Sequence, residues 1–161
     1  MKRLILVRHA KSSWEFDVSD KERPLKTRGY KDAELVSSAF KSKEIDIDNA
    51  YTSPAKRAFE TSKIFMQLLS KENKSAIIKN DLYDFGGNSV EMFIKSLPDD
   101  ENNVMIFGHN HAFTSISNIF GSTYIDNVPT SGLVAIKFET NSWNSIKKGT
   151  TELTIFPRDL K

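Results

Sequence analysis

Short, fully apolar runs alternate along the chain with longer segments whose apolar residues recur at helical spacing. The runs at residues 4–7 and 104–107 have the uniform apolar character of strands that are buried on both faces of a sheet. Further strands are predicted at residues 47–52 and 76–79, and a segment with helical periodicity follows each of the four strands. These patterns predict four consecutive βα units.

The C-terminal part of the chain has a different pattern. Residues 133–138 and 152–156 are apolar or alternating, and a turn-rich segment separates them, which predicts a pair of antiparallel strands at one edge of the sheet. Four βα units followed by two strands predict an α/β fold, specifically a three-layer α/β/α sandwich with a mostly parallel sheet and antiparallel edge strands. Ligands of such sheets bind beyond the carboxyl ends of the strands. The residues that follow each strand are therefore the first place to look for chemistry.

Polar residues mark the helix starts and one long loop. Thr27 is predicted to cap the first helix, and Ser53 with Pro54 is predicted to begin the second. The polar segment at residues 11–26 is too long for a simple turn. We therefore treat this segment as a candidate functional loop.

Composition narrows the class of protein. The chain has 161 residues, which suits one compact domain, and 23 Lys and Arg against 21 Asp and Glu give a net charge of +2. The basic residues are spread along the chain, so a nucleic-acid partner is not indicated. The absence of cysteine excludes a disulfide framework, a thiolate metal site and a cysteine nucleophile. The first apolar run stops at Arg8, too early for a signal peptide or a membrane span, so we expect a cytoplasmic protein with no membrane partner.

Two histidines and two arginines follow the predicted strands. Arg8 and His9 come directly after the first strand, and His109 follows the fourth. Arg57 lies one turn into the helix after the second strand, and helical side chains lean toward the N-terminus of their helix, so Arg57 should point back at the strand ends. A guanidinium is planar and permanently charged, and it matches two oxygens of a phosphate at once. The implied ligand is a phosphoryl group, which free N–H groups at a helix start also favour.

His9 has the chemistry of a nucleophile. Nearby positive charge disfavours imidazolium, so we expect His9 to be neutral, with its other ring nitrogen donating to a backbone carbonyl. A neutral imidazole that is flanked by charge-neutralising donors can attack phosphorus. We expect His109 to donate a hydrogen bond to the equatorial oxygens of the phosphoryl group as negative charge shifts among them.

Four groups of residues, in their order and spacing, resemble the histidine phosphatase superfamily and, within it, the small SixA-type phosphohistidine phosphatases. They are Arg8-His9, Arg23-Pro24-Leu25 with Arg28-Gly29, the segment from Ser53 to Thr61, and Gly108-His109-Asn110. The resemblance extends from Lys2 to about Phe120. It implies a phosphoglycerate mutase-like fold and a single histidine phosphatase domain over residues 1–161.

The resemblance implies a metal-independent phosphatase that needs no cofactor. His9 would carry a phosphohistidine intermediate that water hydrolyses. The phosphate pocket would consist of Arg8, Arg57 and His109. Arg23, on the long loop, would swing over the bound phosphate. The substrate class that the resemblance suggests is phosphohistidine on a partner protein, such as a histidine phosphotransfer domain.

The sequence departs from the family pattern at several positions. Ala10 stands where the superfamily usually has glycine, and His111 stands where relatives often have proline. Larger members also place a carboxylic acid after the third strand to protonate an alkoxide leaving group. Here that region offers Asp84 as a candidate acid, although Asp84 also suits a turn or a helix cap. Without an acid the enzyme should prefer a P–N bond, because imidazole leaves more readily than an alkoxide.

The sequence leaves three alternatives open. The same site could hydrolyse a broad range of small phosphorylated molecules, as a phosphomonoesterase of the superfamily. It could also bind a phosphoryl group without hydrolysing it. His9, His109 and His111 could instead ligate a metal ion, but Arg8 and Arg57 would then place fixed positive charge beside the cation.

Overall fold

Six strands join one sheet, in agreement with the sequence-based expectation. The computed structural model describes all residues from Met1 to Lys161. The strands are β1 (Lys2–Arg8), β2 (Asn49–Thr52), β3 (Ile77–Ile78), β4 (Asn103–Gly108), β5 (Leu133–Phe138) and β6 (Thr150–Ile155). Their spatial order is β3-β2-β4-β1-β5-β6. The first four strands of the chain pair in parallel, whereas β5 is antiparallel to β1 and β6 is antiparallel to β5, which confirms a mostly parallel sheet with an antiparallel edge.

Two helices cover each face of the sheet. The helices are α1 (Thr27–Lys41), α2 (Lys56–Leu69), α3 (Asn88–Lys95) and α4 (Ala112–Phe120). Successive residues of β1 alternate between the faces. Leu4 and Leu6 belong to the apolar core under α3 and α4, whereas Ile5 and Val7 belong to the core under α1 and α2. The result is the predicted three-layer sandwich, and none of its helices combines the length and the apolar character that crossing a membrane requires.

The starts of α1 and α2 differ from the expectation. α1 is preceded by Lys26 and has no side-chain cap, so Thr27 is its first residue and not its cap. α2 begins at Lys56, later than the predicted start at Ser53. The Ser53 hydroxyl lies 2.8 Å from Nε2 of His109 and accepts a hydrogen bond from the Ala55 N–H at 3.2 Å. The Ser53 side chain therefore contacts His109 at the end of β4 and does not cap α2, which begins three residues later.

The segment between β1 and α1 forms a closed loop. Its base is an isolated antiparallel bridge between Ser12 and Leu25, beside which the Lys26 N–H donates to the Lys11 carbonyl at 2.9 Å. A short 3₁₀ helix, Asp20–Glu22, lies within the loop. The base fixes the loop beside the carboxyl ends of the strands, where the candidate functional residues are.

Gly29 is needed where α1 meets the base of this loop. A Cβ at Gly29 would overlap the backbone carbonyl of Lys11, which is held by its hydrogen bond from Lys26. We predict that Gly29→Ala destabilises the protein by about 1–3 kcal/mol, because overpacking against fixed atoms forces the backbone to shift. Gly86→Ala is the matched control, since a Cβ there meets nothing closer than 3.9 Å. Chemical denaturation measures both variants, and equal stabilities would contradict the prediction.

Candidate active site

The carboxyl ends of β1 and β4 lie side by side. Arg8 pairs with Gly108 in the parallel register, and the His9 N–H donates to the Gly108 carbonyl at 3.0 Å. The ring centroids of His9 and His109 are consequently 5.4 Å apart. Two histidines that are far apart in the sequence are thus neighbours in the structure, as the strand pattern predicts.

His9 is neutral and has one ring nitrogen free. Its Nδ1 lies 2.8 Å from the carbonyl oxygen of Ala10, and because a carbonyl can only accept, Nδ1 carries the proton. The lone pair of Nε2 is then available for attack. The pKa of His9 lies well below its ordinary value, first because the ring is buried and then because of the nearby His109, Arg57 and Arg8. Burial, and not chiefly nearby positive charge as expected from the sequence, keeps this ring neutral.

His109 is completely buried and is held by Ser53. The Ser53 hydroxyl accepts from the Ala55 N–H and lies 2.8 Å from Nε2 of His109. Because the Ser53 proton has no other acceptor within the protein, we assign it to Nε2. That arrangement leaves the ring proton on Nδ1, which is buried and has no partner within the protein. Burial, followed by the charge of Arg57, lowers the pKa of His109 to about 3. His109 is therefore a neutral hydrogen-bond donor.

Arg57 and Arg8 each have one buried N–H without an acceptor. Arg57 is only 2% exposed, and Asp20 binds both of its terminal nitrogens, whereas its Nε has no partner. Arg8 donates Nη1 to the Val128 carbonyl at 2.8 Å, and its Nε also has no partner. Burial, followed by the nearby charge of Arg57, lowers the pKa of Arg8. Arg57 is buried and Arg8 is half-buried, and two neighbouring cations that are partly removed from water attract an anion.

Unpartnered donors are concentrated at these strand ends. Four buried side-chain polar atoms lack a hydrogen-bond partner, and three of them are Arg8 Nε, Arg57 Nε and His109 Nδ1. Such atoms are rare in folded proteins and call for an explanation. All three are donors, so they suit a ligand whose oxygens only accept, such as a phosphoryl group. Nε2 of His9 lies in the same cluster, and a neutral imidazole among such donors has the chemistry needed to attack a phosphoryl group.

Arg23 extends into the site from the long loop, and neighbouring residues of that loop hold its guanidinium in place. Its Nε donates to the Ser13 carbonyl at 3.2 Å, and a second nitrogen contacts the Ser12 hydroxyl. The indole of Trp14 stacks on the guanidinium at 3.3 Å from the ring centroid while remaining 75% exposed. The third nitrogen lies 3.2 Å from the carboxylate of Asp20. Arg23 is thus linked to Arg57 through a shared carboxylate, and its predicted movement over a phosphate stays a prediction.

Asp20 and Tyr83 belong to the site although the sequence analysis did not single them out. One carboxylate oxygen of Asp20 accepts from Arg57 at 2.9 Å and from the Tyr83 hydroxyl at 2.6 Å, and the other accepts from Arg23. Burial raises the pKa of Asp20, but the hydrogen bonds from Tyr83, Arg57 and Arg23 outweigh it and lower the pKa to about 2. The only signal in the sequence is the spacing of Asp20 and Arg23, one 3₁₀ turn apart on the candidate loop.

Asp84 has a different role from the acid considered in the sequence analysis. Its carboxylate accepts hydrogen bonds from the N–H groups of Gly86, Gly87 and Val90, at 3.0 to 3.1 Å. These bonds satisfy the start of α3. The contacts therefore support the turn or cap interpretation of Asp84, since both of its carboxylate oxygens accept from the backbone at the start of α3.

The third histidine lies apart from this cluster. His111 is exposed at the start of α4, whereas His9 and His109 are buried. No group of three or more His, Asp or Glu side chains is placed so that it could hold a metal ion. The three-histidine site considered from the sequence is therefore not assembled.

A family model matches much of this site. The model of the histidine phosphatase superfamily (branch 1) matches residues 4–91, which is more than half of the chain. The matched residues include Arg8, His9, Arg23 and Arg57, whereas His109 lies beyond them. A comparison with curated proteins gives no match.

Solved structures share the fold over nearly the whole chain. The protein histidine phosphatase SixA, in complex with tungstate, has a TM-score of 0.81 at 21% identity, with 99% of both chains covered. A protein described as the phosphohistidine phosphatase SixA from Agrobacterium tumefaciens has a TM-score of 0.78 at 19% identity, with 96% of this chain and 97% of that chain covered. A protein described as an alpha-ribazole-5'-P phosphatase from Escherichia coli has a TM-score of 0.67 at 18% identity, with 88% and 92% covered. At these identities the likeness shows the fold, which is the expected phosphoglycerate mutase-like one.

The buried histidines make stability depend on pH. An unfolded histidine titrates near 6.5, whereas His109 titrates at about 3 in the folded protein and His9 well below the ordinary value. Between these values the unfolded chain binds protons that the folded protein does not, so stability is lost as the pH falls below about 6.5. Asp20 affects stability in a separate pH range. Its pKa is lowered in the folded protein, so the stability that its ionised form contributes is lost only as the pH falls below about 4.

We predict that His109→Asn reduces the loss of stability between pH 7 and pH 5 by about 2 kcal/mol, because one buried neutral imidazole is removed. Urea denaturation of the variant and the parent protein at the two pH values measures the effect. The comparison uses differences between pH values, so a lower absolute stability of the variant does not disturb it. An identical loss in both proteins would contradict the prediction.

Proposed function

This chain belongs to the histidine phosphatase superfamily and is a phosphatase, and we propose that it hydrolyses phosphohistidine on a partner protein through a covalent intermediate on its own His9. One observation carries the proposal. His9 has a free Nε2 lone pair beside three buried donors that have no acceptor within the protein. A module that only binds phosphoryl groups would need the donors alone. A nucleophile among them favours transfer of the group.

The proposed reaction moves one phosphoryl group twice. First, Nε2 of His9 forms a bond to phosphorus while the bond from phosphorus to the substrate's ring nitrogen breaks. The substrate imidazole departs as a neutral ring that keeps the proton on its other nitrogen. Water then attacks phosphorus, the bond to His9 breaks, inorganic phosphate leaves, and one proton passes to solvent. His9 ends in its original neutral state.

Three donors would stabilise the charge on the transferring group. The Nε atoms of Arg8 and Arg57 and Nδ1 of His109 are buried and can each donate to a phosphoryl oxygen. Since His109 is neutral, the two guanidiniums supply the fixed positive charge. Their burial strengthens the interaction, because little water competes for the same oxygens.

The carboxylates near the site favour a leaving group that needs no acid. Both oxygens of Asp84 accept backbone hydrogen bonds. Asp20 has a pKa of about 2 and is ionised at neutral pH. Asp84 is thus engaged with the backbone of α3 and Asp20 is ionised, so neither residue is suited to protonate an alkoxide. Imidazole leaves without such help, which supports a P–N bond in the substrate.

The surroundings of the site suit a protein substrate. Trp14, Phe16 and Val18 are exposed on the long loop, and Phe85 is exposed next to His109, with 4.9 Å between ring centroids. Exposed apolar side chains around a polar site commonly contact a partner protein. The proposed partner is a histidine phosphotransfer domain or a similar phosphorylated protein. Neighbouring structures described as phosphohistidine phosphatases support the same substrate class.

His9 is the first residue to test. We predict that His9→Ala lowers hydrolysis of a phosphorylated histidine phosphotransfer protein by at least about 1,000-fold, because the nucleophile is gone. His111→Ala, which removes an exposed imidazole outside the cluster, is the matched control and should retain activity. Calorimetric binding of tungstate checks that the donors of the variant are intact. Activity of His9→Ala within about ten-fold of the parent would reject His9 as the nucleophile.

A comparison of three substrates tests the substrate class. We predict that phosphohistidine on a phosphotransfer protein is cleaved at least about 100-fold faster than a phosphoserine peptide or a sugar phosphate, because an alkoxide leaving group lacks an acid here. The measurement is release of inorganic phosphate at equal enzyme concentration. Similar rates on all three would indicate a general phosphomonoesterase, and retention of every phosphoryl group would indicate a binding module.

A further inference from the structure

Asp20 occupies one edge of the Arg57 guanidinium and leaves another edge free. A guanidinium presents an end pair of N–H groups on Nη1 and Nη2 and a side pair on Nε and Nη2. The Asp20 carbonyl oxygen accepts from Nη1 at 2.6 Å and the Asp20 carboxylate accepts from Nη2 at 2.9 Å, so a single residue fills the end pair. Nε, on the side pair, is buried and has no acceptor. The orientation of Arg57 is therefore set by Asp20.

Asp20 also connects Arg57 to other elements of the site. Its carboxylate accepts from Arg23 on the same loop and from Tyr83, whose ring packs edge-on against His109 with 5.4 Å between centroids. Asp20 is the only acidic residue within ion-pair distance of Arg57 or of Arg23. A buried guanidinium that loses its only carboxylate turns to other acceptors. Removing the Asp20 carboxylate leaves Nη1 on the backbone carbonyl but releases Nη2, so we expect it to change the direction of Arg57 as well as its charge balance.

The contacts indicate that Asp20 and a phosphoryl group would use different N–H groups of Arg57. If the Asp20 carboxylate simply occupied the phosphoryl position, it would satisfy the donors that surround that position. Instead, the Nε atoms of Arg57 and Arg8 and Nδ1 of His109 are all unpartnered while Asp20 binds Nη1 and Nη2. One guanidinium can hold both anions, one on each edge.

We propose that Asp20 is a positioning residue for phosphoryl transfer, which fills the end pair of Arg57 and thereby turns its Nε edge toward the phosphoryl group at His9. The inference rests on the proposed function, since it assigns the effect of Asp20 to the transfer step. Asp20 acts through Arg57 and does not itself exchange a proton with the substrate.

A double-mutant cycle between Asp20 and Arg57 tests this role. The readout is kcat on an aryl phosphate, whose phenolate leaves without an acid and whose cleavage needs no partner protein. Asp20→Ala should lower kcat by about 10- to 100-fold in the parent protein but by less than about three-fold in the Arg57→Lys background, because an ammonium has no edge to orient. Asp20→Asn, which keeps an acceptor oxygen, should recover part of the loss.

Glu22→Gln is the matched control for this cycle. Glu22 lies in the same 3₁₀ helix as Asp20 and is exposed, and its side chain makes no ion pair or hydrogen bond, so removing its charge should change kcat by no more than about two-fold. A loss in Asp20→Ala that is equal in both backgrounds would overturn the proposal, because Asp20 would then act independently of Arg57. An unchanged kcat would overturn it as well.

A second measurement is independent of turnover. Inorganic phosphate is titrated into the protein while NMR follows the Nε–H resonance of Arg57. The resonance should shift on addition of phosphate in the parent protein, and the shift should be lost in Asp20→Ala. Equal shifts in both proteins would overturn the positioning role. Failure of the proposed function would appear elsewhere, as activity in His9→Ala or as no preference for phosphohistidine, with the phosphate-induced shift unaffected.

Discussion

Backbone hydrogen bonds at the carboxyl end of β4 continue past the strands on both of its sides. The His9 N–H donates to the Gly108 carbonyl at 3.0 Å, and the Ser53 N–H donates to the Phe107 carbonyl at 3.0 Å. The ends of β1 and β2 are thereby fixed to β4 by the main chain. The side chains of His9, Ser53 and His109 extend from this fixed backbone, so little side-chain entropy is lost when they come together. Such pre-organisation is needed to hold a reacting group in line. The remaining features of the site depend on this pairing.

Positive charge is concentrated at this site, which is largely shielded from water. Two features of the structure limit the electrostatic cost. Burial keeps both rings, His9 and His109, neutral, so they contribute a lone pair and a donor without further charge. The guanidiniums stay charged, and Asp20 compensates two of them through separate carboxylate oxygens. An isolated buried cation is costly, whereas a paired and hydrogen-bonded one is tolerated. Asp20 therefore has an energetic function as well as the positioning function that we infer.

Ser53 has a role that local rules do not assign to it, whereas Asp84 has the capping role that they allow. Ser53 precedes a proline and has the features of a helix cap, yet its hydroxyl lies against His109 and the helix begins later. Asp84 follows the third strand and has the features of a site residue, yet its carboxylate receives the free N–H groups at the start of α3. The role of Ser53 depends on His109, which is 56 residues away in the chain, and local propensity does not contain that information. The role of Asp84 depends on N–H groups only two to six residues ahead of it, and local propensity does allow it.

Apolar periodicity and the order of the elements were enough to predict the sheet, its two helical layers and the strand ends at which His9, His109, Arg8 and Arg57 meet. The apolar pattern is local information, because it records which side chains of each strand or helix are buried. The meeting of the strand ends then follows from the parallel arrangement, in which the carboxyl ends lie at the same edge of the sheet. The partner of Arg57 and the contact of His109 with Ser53 depend on distances between segments that are remote in the chain. The contact of His9 with the Ala10 carbonyl and the capping role of Asp84 are local, since the groups involved are one to six residues apart. Asp20 illustrates the difference: on the sequence it is one of many acidic residues, and it gains its role only where the folded loop carries its carboxylate to Arg57, Arg23 and Tyr83. Hydrogen bonds act over about 3 Å, so such roles exist only once the fold has set those distances.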